Sequence, residues 1–331
     1  MAINRVEIND FLAFRGGFAV DFCSGTNVVI GSNGTGKTTL LKVMYAASKY
    51  RRAKLMDTSM KMLLRHFDRV EGVENIGKDV VRVSFDNRVV EYDIVSPREE
   101  REESVRVTPR GEKATPSVFI PAAEMLSHSK GFLALCYERM MPFDATQIDI
   151  IAKAELGEAN EVLPLCQKLL DIISRVIDGK VIYENDAFYV QKTSGKKISF
   201  PFEAEGFRKF GLLWKLLRNG LLEKGTILFW DEPEANINSE LIPVLVDVLL
   251  ELSRNGVQIF AATHSEMLAD YFAVRRGKSD QVKFYSLYKD QKSQQIRAAV
   301  DDRFDLLDHN LLTKQSVALY EEELMKGLSN G

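Results

Sequence analysis

The sequence predicts an α/β fold, and three observations carry that reading. An apolar run, Thr26–Ile30, leads through the glycine-rich segment Gly31–Gly36 into a helical period that starts near Thr38. A second apolar run, Thr226–Trp230, ends in the acids Asp231 and Glu232, and a third, Val257–Thr263, ends at His264. Buried strands that each deliver a polar group at the carboxyl end are the pattern of a parallel sheet with helices on its faces. Of 331 residues, 45% are apolar and 27% charged, which is enough for a sizeable core and excludes disordered and low-complexity readings.

The elements follow in order. Ile3–Phe22 alternates apolar and polar residues on both sides of Arg15-Gly16-Gly17, predicting two strands and a turn. The helix after the glycine-rich segment is read from Leu40, Leu41, Val43 and Met44, and the cations Lys49, Arg51, Arg52 and Lys54 suit its carboxyl end. Two strand-like runs, Val80–Phe85 and Arg88–Val95, and the polar loop Ser96–Ser104 make residues 71–116 an antiparallel β lobe. Ser117–Ile120 is a short strand closed by Pro121. Residues 122–178 have a helical period, with Leu163, Cys166, Leu169, Leu170 and Ile173 as the clearest stripe, and read as an inserted helical lobe. Val181–Phe202 returns to strand composition with a turn at Ser194-Gly195, and Phe207–Leu222 is again helical. Gln294–Leu328 reads as helices, with Leu306, Leu307, Leu311, Leu312, Val317, Leu319 and Tyr320 as candidate packing residues.

Charge and cysteine usage narrow the function classes. Lys plus Arg number 44 against 47 Asp plus Glu, a net charge of −3, so no global basic field marks a nucleic-acid binder. Any such contact would be local, with Lys49, Arg51, Arg52 and Lys54, or Arg275, Arg276 and Lys278, as the candidates. Cys23, Cys136 and Cys166 are odd in number and widely spaced, against both a disulfide framework and a zinc site, and consistent with a reducing cytoplasm. Glu7 and Asp10 interrupt any leader-like apolar run, and the chain has no stretch of about 18 apolar residues, so no membrane role is expected.

Gly31-Ser32-Asn33-Gly34-Thr35-Gly36-Lys37-Thr38 has the GxxxxGKT spacing of a phosphate-binding loop, after a strand and before a helix as that motif requires. The glycines let successive N–H groups curl toward one anion, and the following helix points its positive end at the same phosphates. Asn33, Gly34, Thr35, Gly36, Lys37, Thr38 and Thr39 are the candidate nucleotide-binding residues. Lys37 is expected at the β and γ phosphates and Thr38 at Mg²⁺. Asp231 at the end of the second strand is the other candidate Mg²⁺ residue, and Glu232 the candidate that orients and polarises a water. His264 at the third strand's end can hydrogen-bond a γ phosphate or that water.

Together these elements resemble the ABC-type ATPases, in particular the SMC, RecF and OLD-like branch. The opening Val6-Glu7-Ile8-Asn9-Asp10-Phe11 with Phe14-Arg15 is similar to that branch, Ala235-Asn236-Ile237-Asn238 falls at its D-loop, and His264 at its switch histidine. The resemblance covers about residues 1–50 and 200–275. It implies a P-loop NTPase head over 1–331: an N-terminal β segment and P-loop in 1–70, the β lobe, the helical lobe, the signature loop, Walker B, D-loop and switch histidine in 200–290, and C-terminal helices in 294–328. It further implies MgATP hydrolysis, a homodimer sandwiching ATP between each P-loop and the partner's signature loop, and Arg15 as a nucleotide contact, with Phe14 read as a core residue ahead of a stacking role on the nucleotide. The signature loop falls at Glu203–Lys209, where Gly206 is kept but Ala204 stands in the family's serine position. The segment Ile120–Glu124 resembles the family's Q-loop region yet holds no glutamine, and Gln147 lies farther on. Heads without a coil are similar to the ATPase subunits of bacterial anti-phage systems, which implies control of a partner effector, a nuclease or toxin encoded nearby. A RecF-like repair ATPase and a slow nucleotide-dependent scaffold are the alternatives.

Overall fold

The computed structural model describes residues 1–49, 79–94, 104–108, 114–139 and 143–329. At its centre lies a six-stranded sheet. Strand β3 (Thr26–Gly31) pairs in parallel with β12 (Gln258–Ala262) on one side and β13 (Val282–Lys289) on the other. Beyond β12 come β11 (Ile227–Asp231) and β7 (Ser117–Ile120), both parallel, while β14 (Ile296–Asp301) closes the opposite edge antiparallel to β13.

Every residue of β3, β7, β11 and β12 is buried, as a sheet covered on both faces demands. The strand period of two then divides the side chains. Val28, Ile30, Val118, Ile120, Leu228, Trp230 and Ile259 join one core with Leu213, Leu217, Leu245, Leu249 and Phe272. Val29, Phe119, Ile227, Phe229 and Phe260 join the other, with Leu40, Leu41, Val43 and Met44. The helices of the first face are α5 (Glu205–Arg218), α6 (Ile242–Arg254) and α7 (Glu266–Arg275), and the second face receives α1 (Lys37–Lys49).

On its outer side α1 meets a five-stranded antiparallel sheet of order β2-β1-β4-β5-β6, formed by β1 (Ile3–Phe11), β2 (Phe14–Asp21), β4 (Asp79–Phe85), β5 (Val89–Ile94) and β6 (Ser104–Thr108). Ile3, Val6, Ile8, Val81, Val83 and Val90 bury against α1, which is why most of that helix, from Leu40 to Ser48 with Lys42 as the exception, is buried between the two sheets. The expected β lobe is thus continuous with the N-terminal strands. Gln258 ties the two sheets together: its Oε1 accepts from the Ile3 N–H and its Nε2 donates to the Ile3 carbonyl, each at 2.8 Å.

The helical lobe consists of α2 (Phe132–Arg139), α3 (Ala145–Ala154) and α4 (Pro164–Val176), packed on α5 together with the small sheet β8 (Gly179–Glu184), β9 (Ala187–Lys192) and β10 (Lys197–Ser199). Asp144 caps α3, accepting from the Thr146 N–H at 2.8 Å, and its carboxylate also pairs with Lys42 of α1. Tyr45 and Lys49 of α1 reach Asp149 in the same way, so the helix behind the glycine-rich loop is bound to the lobe.

Several sequence expectations are corrected. The first hairpin turns at Leu12-Ala13, because Asp10 and Leu12 adopt left-handed φ of 53° and 54° and the Asp10 carboxylate accepts from the Gly16 N–H at 2.7 Å. Arg15, Gly16 and Gly17 therefore lie inside β2. Leu163 is an exposed N-cap residue rather than part of the α4 stripe. Gln294–Asp301 is not helical, since Ile296–Asp301 is strand β14 on the edge of the main sheet. The last helix, α8 (Leu311–Ser329), stands off the body: Leu307 is buried and Leu312 packs on the core, but Leu306, Leu311, Val317, Leu319 and Tyr320 are exposed. The loop 96–103 and the cations Arg51, Arg52 and Lys54 lie outside the described residues. Among the described residues no helix is long and apolar enough to cross a membrane.

Candidate functional site

The carboxyl ends of β3, β11 and β12 bring three sequence-distant segments to one edge of the sheet, as parallel pairing in register requires. Ser32, Asn33 and Gly34 form the exposed crest of the loop after β3, with Gly34 at φ 79° and open space where a Cβ would stand. Gly36, at φ 84°, is the opposite case, because a Cβ there would lie 2.8 Å from the ring of Phe14. Phe14 is thus a core side chain beneath the loop, its ring centroid 4.6 Å from that of Phe18 in a tilted pair, and is not free to pair with a base. Arg15 is exposed on β2, one residue beyond that contact.

Lys37 folds back along the loop and donates to the Gly31 carbonyl at 2.8 Å and the Ser32 carbonyl at 3.2 Å. Burial holds its pKa down at about 8, against the opposing pull of Asp231, Glu232 and Glu234. Thr35 is buried with its hydroxyl on the Ser32 carbonyl, and Thr39 is half-buried in the first turn of α1. Thr38 is exposed and donates its hydroxyl to Asp231 Oδ2 at 2.8 Å. Burial raises the Asp231 pKa while the Thr38 bond lowers it. One hydroxyl and one carboxylate held together at a loop crest are the hard oxygen donors that Mg²⁺ takes, with waters and phosphate oxygens left to complete its shell. Among the described residues no group of three or more His, Cys, Asp or Glu gathers as a metal cage, so an ion here would lean on its substrate.

Glu232 leaves the strand with a left-handed φ of 49°, its N–H still bonded to the Ala262 carbonyl at 2.8 Å. That turn swings the carboxylate toward β12, where Oε1 stands 3.9 Å from His264 Nε2. Burial and the neighbouring Lys37 lower the His264 pKa, which favours the neutral ring. Glu234 fixes this corner: its Oε1 accepts from the Thr263 hydroxyl at 2.6 Å and the His264 N–H at 3.2 Å. Ser265 caps α7 directly after the histidine, accepting from the Leu268 N–H at 3.2 Å.

The segment Ala204–Gly206 begins α5, with Ala204 as an exposed N-cap residue that supplies no side-chain bond. Gly206 is buried against its own chain, since a Cβ there would lie 3.2 Å from the Asn236 carbonyl and 3.4 Å from Ile237. Asn236, at φ 60°, donates to Glu205 Oε1 at 2.8 Å. Glu124 is buried and turned inward. It accepts from the Ser127 N–H at 3.2 Å, caps the turn that begins at Leu126, and lies 3.4 Å from Arg208. Gln147 sits half-buried on α3. Of the local basic group, Arg275 pairs with Asp247 at 3.1 Å, Arg276 donates to the backbone carbonyls of Val282 and Asp302, and Lys278 is exposed.

Sequence reading missed Glu234 and Lys209. Lys209 donates to the Glu232 carbonyl at 2.9 Å from inside α5. The signal for it was a cation placed among Phe207, Phe210 and Leu213, but the helical face it occupies is set by packing.

Comparison with known proteins agrees with this fold. The family model described as "AAA domain, putative AbiEii toxin, Type IV TA system" matches residues 143–270, and one described as "AAA domain" matches residues 5–128. Among the curated proteins, none matches the chain. An SMC head bound to the C-winged helix domain of ScpA superposes with a TM-score of 0.59 at 12% identity, over 91% of this chain and 98% of that one. An Smc head domain with an extended coiled coil, bound to the C-terminal domain of ScpA derived from Pyrococcus furiosus, gives 0.54 at 12% identity, over 97% and 99%.

Proposed function

We propose that this chain is an ABC-type P-loop ATPase of the SMC- and RecF-like kind, that it hydrolyses MgATP, and that it uses head-to-head dimerisation to control a partner protein. The observation that carries the reading is the convergence of Thr38 on Asp231 at 2.8 Å with Glu232 and His264 3.9 Å apart beside it. Lys37 moves from the loop carbonyls to the β and γ phosphates, and the N–H groups of Asn33–Thr39 close around them. Thr38 and Asp231 hold Mg²⁺, which when bound draws negative charge off the phosphate oxygens. Glu232 orients a water and takes up its proton as the water oxygen bonds the γ phosphorus and the bond to the β–γ bridging oxygen breaks, releasing ADP. Neutral His264 donates a hydrogen bond to the γ phosphate. Arg15, exposed beside the loop, contacts the nucleotide from the β1–β2 hairpin.

One head leaves the γ phosphate open on its outer side, so the proposed second half of the site is the Ala204–Gly206 helix start of another copy. The partner in turn is an effector, a nuclease or toxin. The family description over 143–270, a putative toxin of a type IV TA system, supports a toxin–antitoxin setting. A repair ATPase working on DNA is less well supported, because the chain carries a net charge of −3 and Arg276 is tied to the Val282 and Asp302 carbonyls.

Glu232→Gln is expected to keep ATP bound while turnover falls about 100- to 1,000-fold, and to accumulate MgATP-dependent dimer in sedimentation velocity. A sedimentation coefficient indifferent to MgATP counts against the dimer, and unchanged turnover counts against Glu232 as the group acting on water. Co-expression with the neighbouring gene under phage challenge tests the effector. Protection by this chain alone removes the need for one.

A further inference from the structure

Lys209 is the least expected charge in the molecule. It is 2% exposed, and burial lowers its pKa. A cation so placed is costly unless it is hydrogen-bonded. Among the described residues it makes no ion pair. Its bond is to the main chain, where Nζ meets the Glu232 carbonyl at 2.9 Å.

That carbonyl belongs to the residue whose left-handed φ of 49° aims the carboxylate at His264. Gripping the carbonyl fixes the peptide plane after Glu232 and with it the direction of the turn. Lys209 does not act alone. One helical turn earlier, Glu205 accepts from Asn236, and Gly206 packs on the Asn236 carbonyl. Positions 205 and 209 share a helix face, so the first turns of α5 grip the loop 232–237 at both ends.

We propose that Lys209 is a positioning residue for Glu232, so that the helix whose start meets a partner's nucleotide also aims the glutamate that serves its own. This rests on the ATPase reading given above. A shift of α5 on engagement of its N-terminus is transmitted to Glu232 through one hydrogen bond, which makes turnover in one site dependent on occupancy of the other.

The test uses the full chain with Lys209→Met, which keeps length and loses the donor, and Lys209→Arg, which keeps a donor. Steady-state turnover is compared with the Kd for MgATP measured directly. Lys209→Met is expected to lower kcat about 10- to 100-fold with the Kd unchanged within about threefold, and Lys209→Arg to recover at least part of the loss. Placed on Glu232→Gln, Lys209→Met is expected to cause no further fall in residual turnover, because its effect runs through that side chain. Circular dichroism confirms the fold. If Lys209→Met unfolds, Lys209→Gln, whose amide is too short to reach the Glu232 carbonyl, takes its place: wild-type Kd with reduced kcat supports the proposal, and wild-type kcat and Kd overturn it. A folded Lys209→Met with wild-type kcat, an equal loss of affinity and turnover, or an additive loss on Glu232→Gln overturns it also. Wild-type turnover that Glu232→Gln leaves intact overturns the ATPase reading of Glu232 instead.

Discussion

Two helix starts face the carboxyl edge of the sheet, and they are built differently. The start of α1 is furnished by its own chain: a glycine-rich loop, the buried Lys37, and Thr38 in contact with Asp231. The start of α5 has an exposed Ala204 with no side-chain cap and an acid, Glu205, in its first turn. An acid there disfavours a bound anion, yet this one is drawn aside by Asn236 at 2.8 Å and Arg208 at 3.8 Å. The first start carries its own cation and its own oxygen donors, and the second offers backbone N–H groups with nothing of its own to bind. Under the proposed function, the first start would hold ATP within one chain and the second would close the site of another copy.

The largest expected effect removes the furnished half. Lys37→Ala takes away a charge-assisted contact and should weaken MgATP binding about 10- to 100-fold, measured by isothermal titration or a fluorescent analogue. Equal affinity in both proteins would mean that α1 is no phosphate site and the contrast with α5 is void.

A pH series sharpens the same point. The Lys37 pKa lies near 8 in the nucleotide-free protein because of burial, so binding an anion below that pH requires no proton uptake. Above it the lysine must first be recharged, and the Kd for MgATP should rise about tenfold per pH unit. The sign for stability is the reverse. With a folded pKa below the unfolded value of 10.5, the native state binds fewer protons than the unfolded one between about 8 and 10.5, so the penalty of burying the charge is relieved as pH rises through that window. In Lys37→Met both trends should vanish, and a pH-independent Kd in wild type would show that Lys37 does not carry the charge that meets phosphate.

The same contrast explains what could be read from the sequence. The α1 start is local: eight consecutive residues carry the loop, and strand–loop–helix context confirms them. Asp231, Glu232 and His264 were legible because the apolar run of a buried parallel strand ends at or next to them. The α5 start is tertiary. That Glu205, Gly206 and Lys209 face the loop 232–237 depends on the rotation of α5 that buries its Phe210 and Leu213 in the core, which no local pattern states. Strand β14 went unread for a related reason, since Ile296-Arg297-Ala298-Ala299 has good helical propensity and becomes a strand only because β13 offers an edge. The run Val282–Lys289 did carry a strand signal in Phe284, Tyr285, Leu287 and Tyr288, and reading it would have exposed that edge.

The smallest effect comes from supplying what the α5 start lacks. Ala204 sits at φ −58° and ψ 137°, the extended geometry an N-cap serine adopts, so Ala204→Ser introduces no backbone strain. Its oxygen can accept from an N–H in the first turn, as Ser265 does at the start of α7. That cap should stabilise the free protein by about 0.5–1 kcal/mol, a rise in Tm of about 2 °C or less. The hydroxyl hydrogen stays free while the oxygen accepts, so the same side chain can donate to a phosphate held by another copy. On the Glu232→Gln background, Ala204→Ser should therefore tighten the MgATP-dependent dimer about three- to tenfold, measured by sedimentation equilibrium, while the Kd for MgATP of the isolated head stays unchanged. Two outcomes separate the roles. A raised Tm with an unaltered dimer constant means that the α5 start is an ordinary helix end away from any nucleotide, and the comparison on which the dimer rests fails. A tightened dimer with no change in Tm means that the hydroxyl points outward, and that residue 204 belongs to the partner's site more than to its own helix.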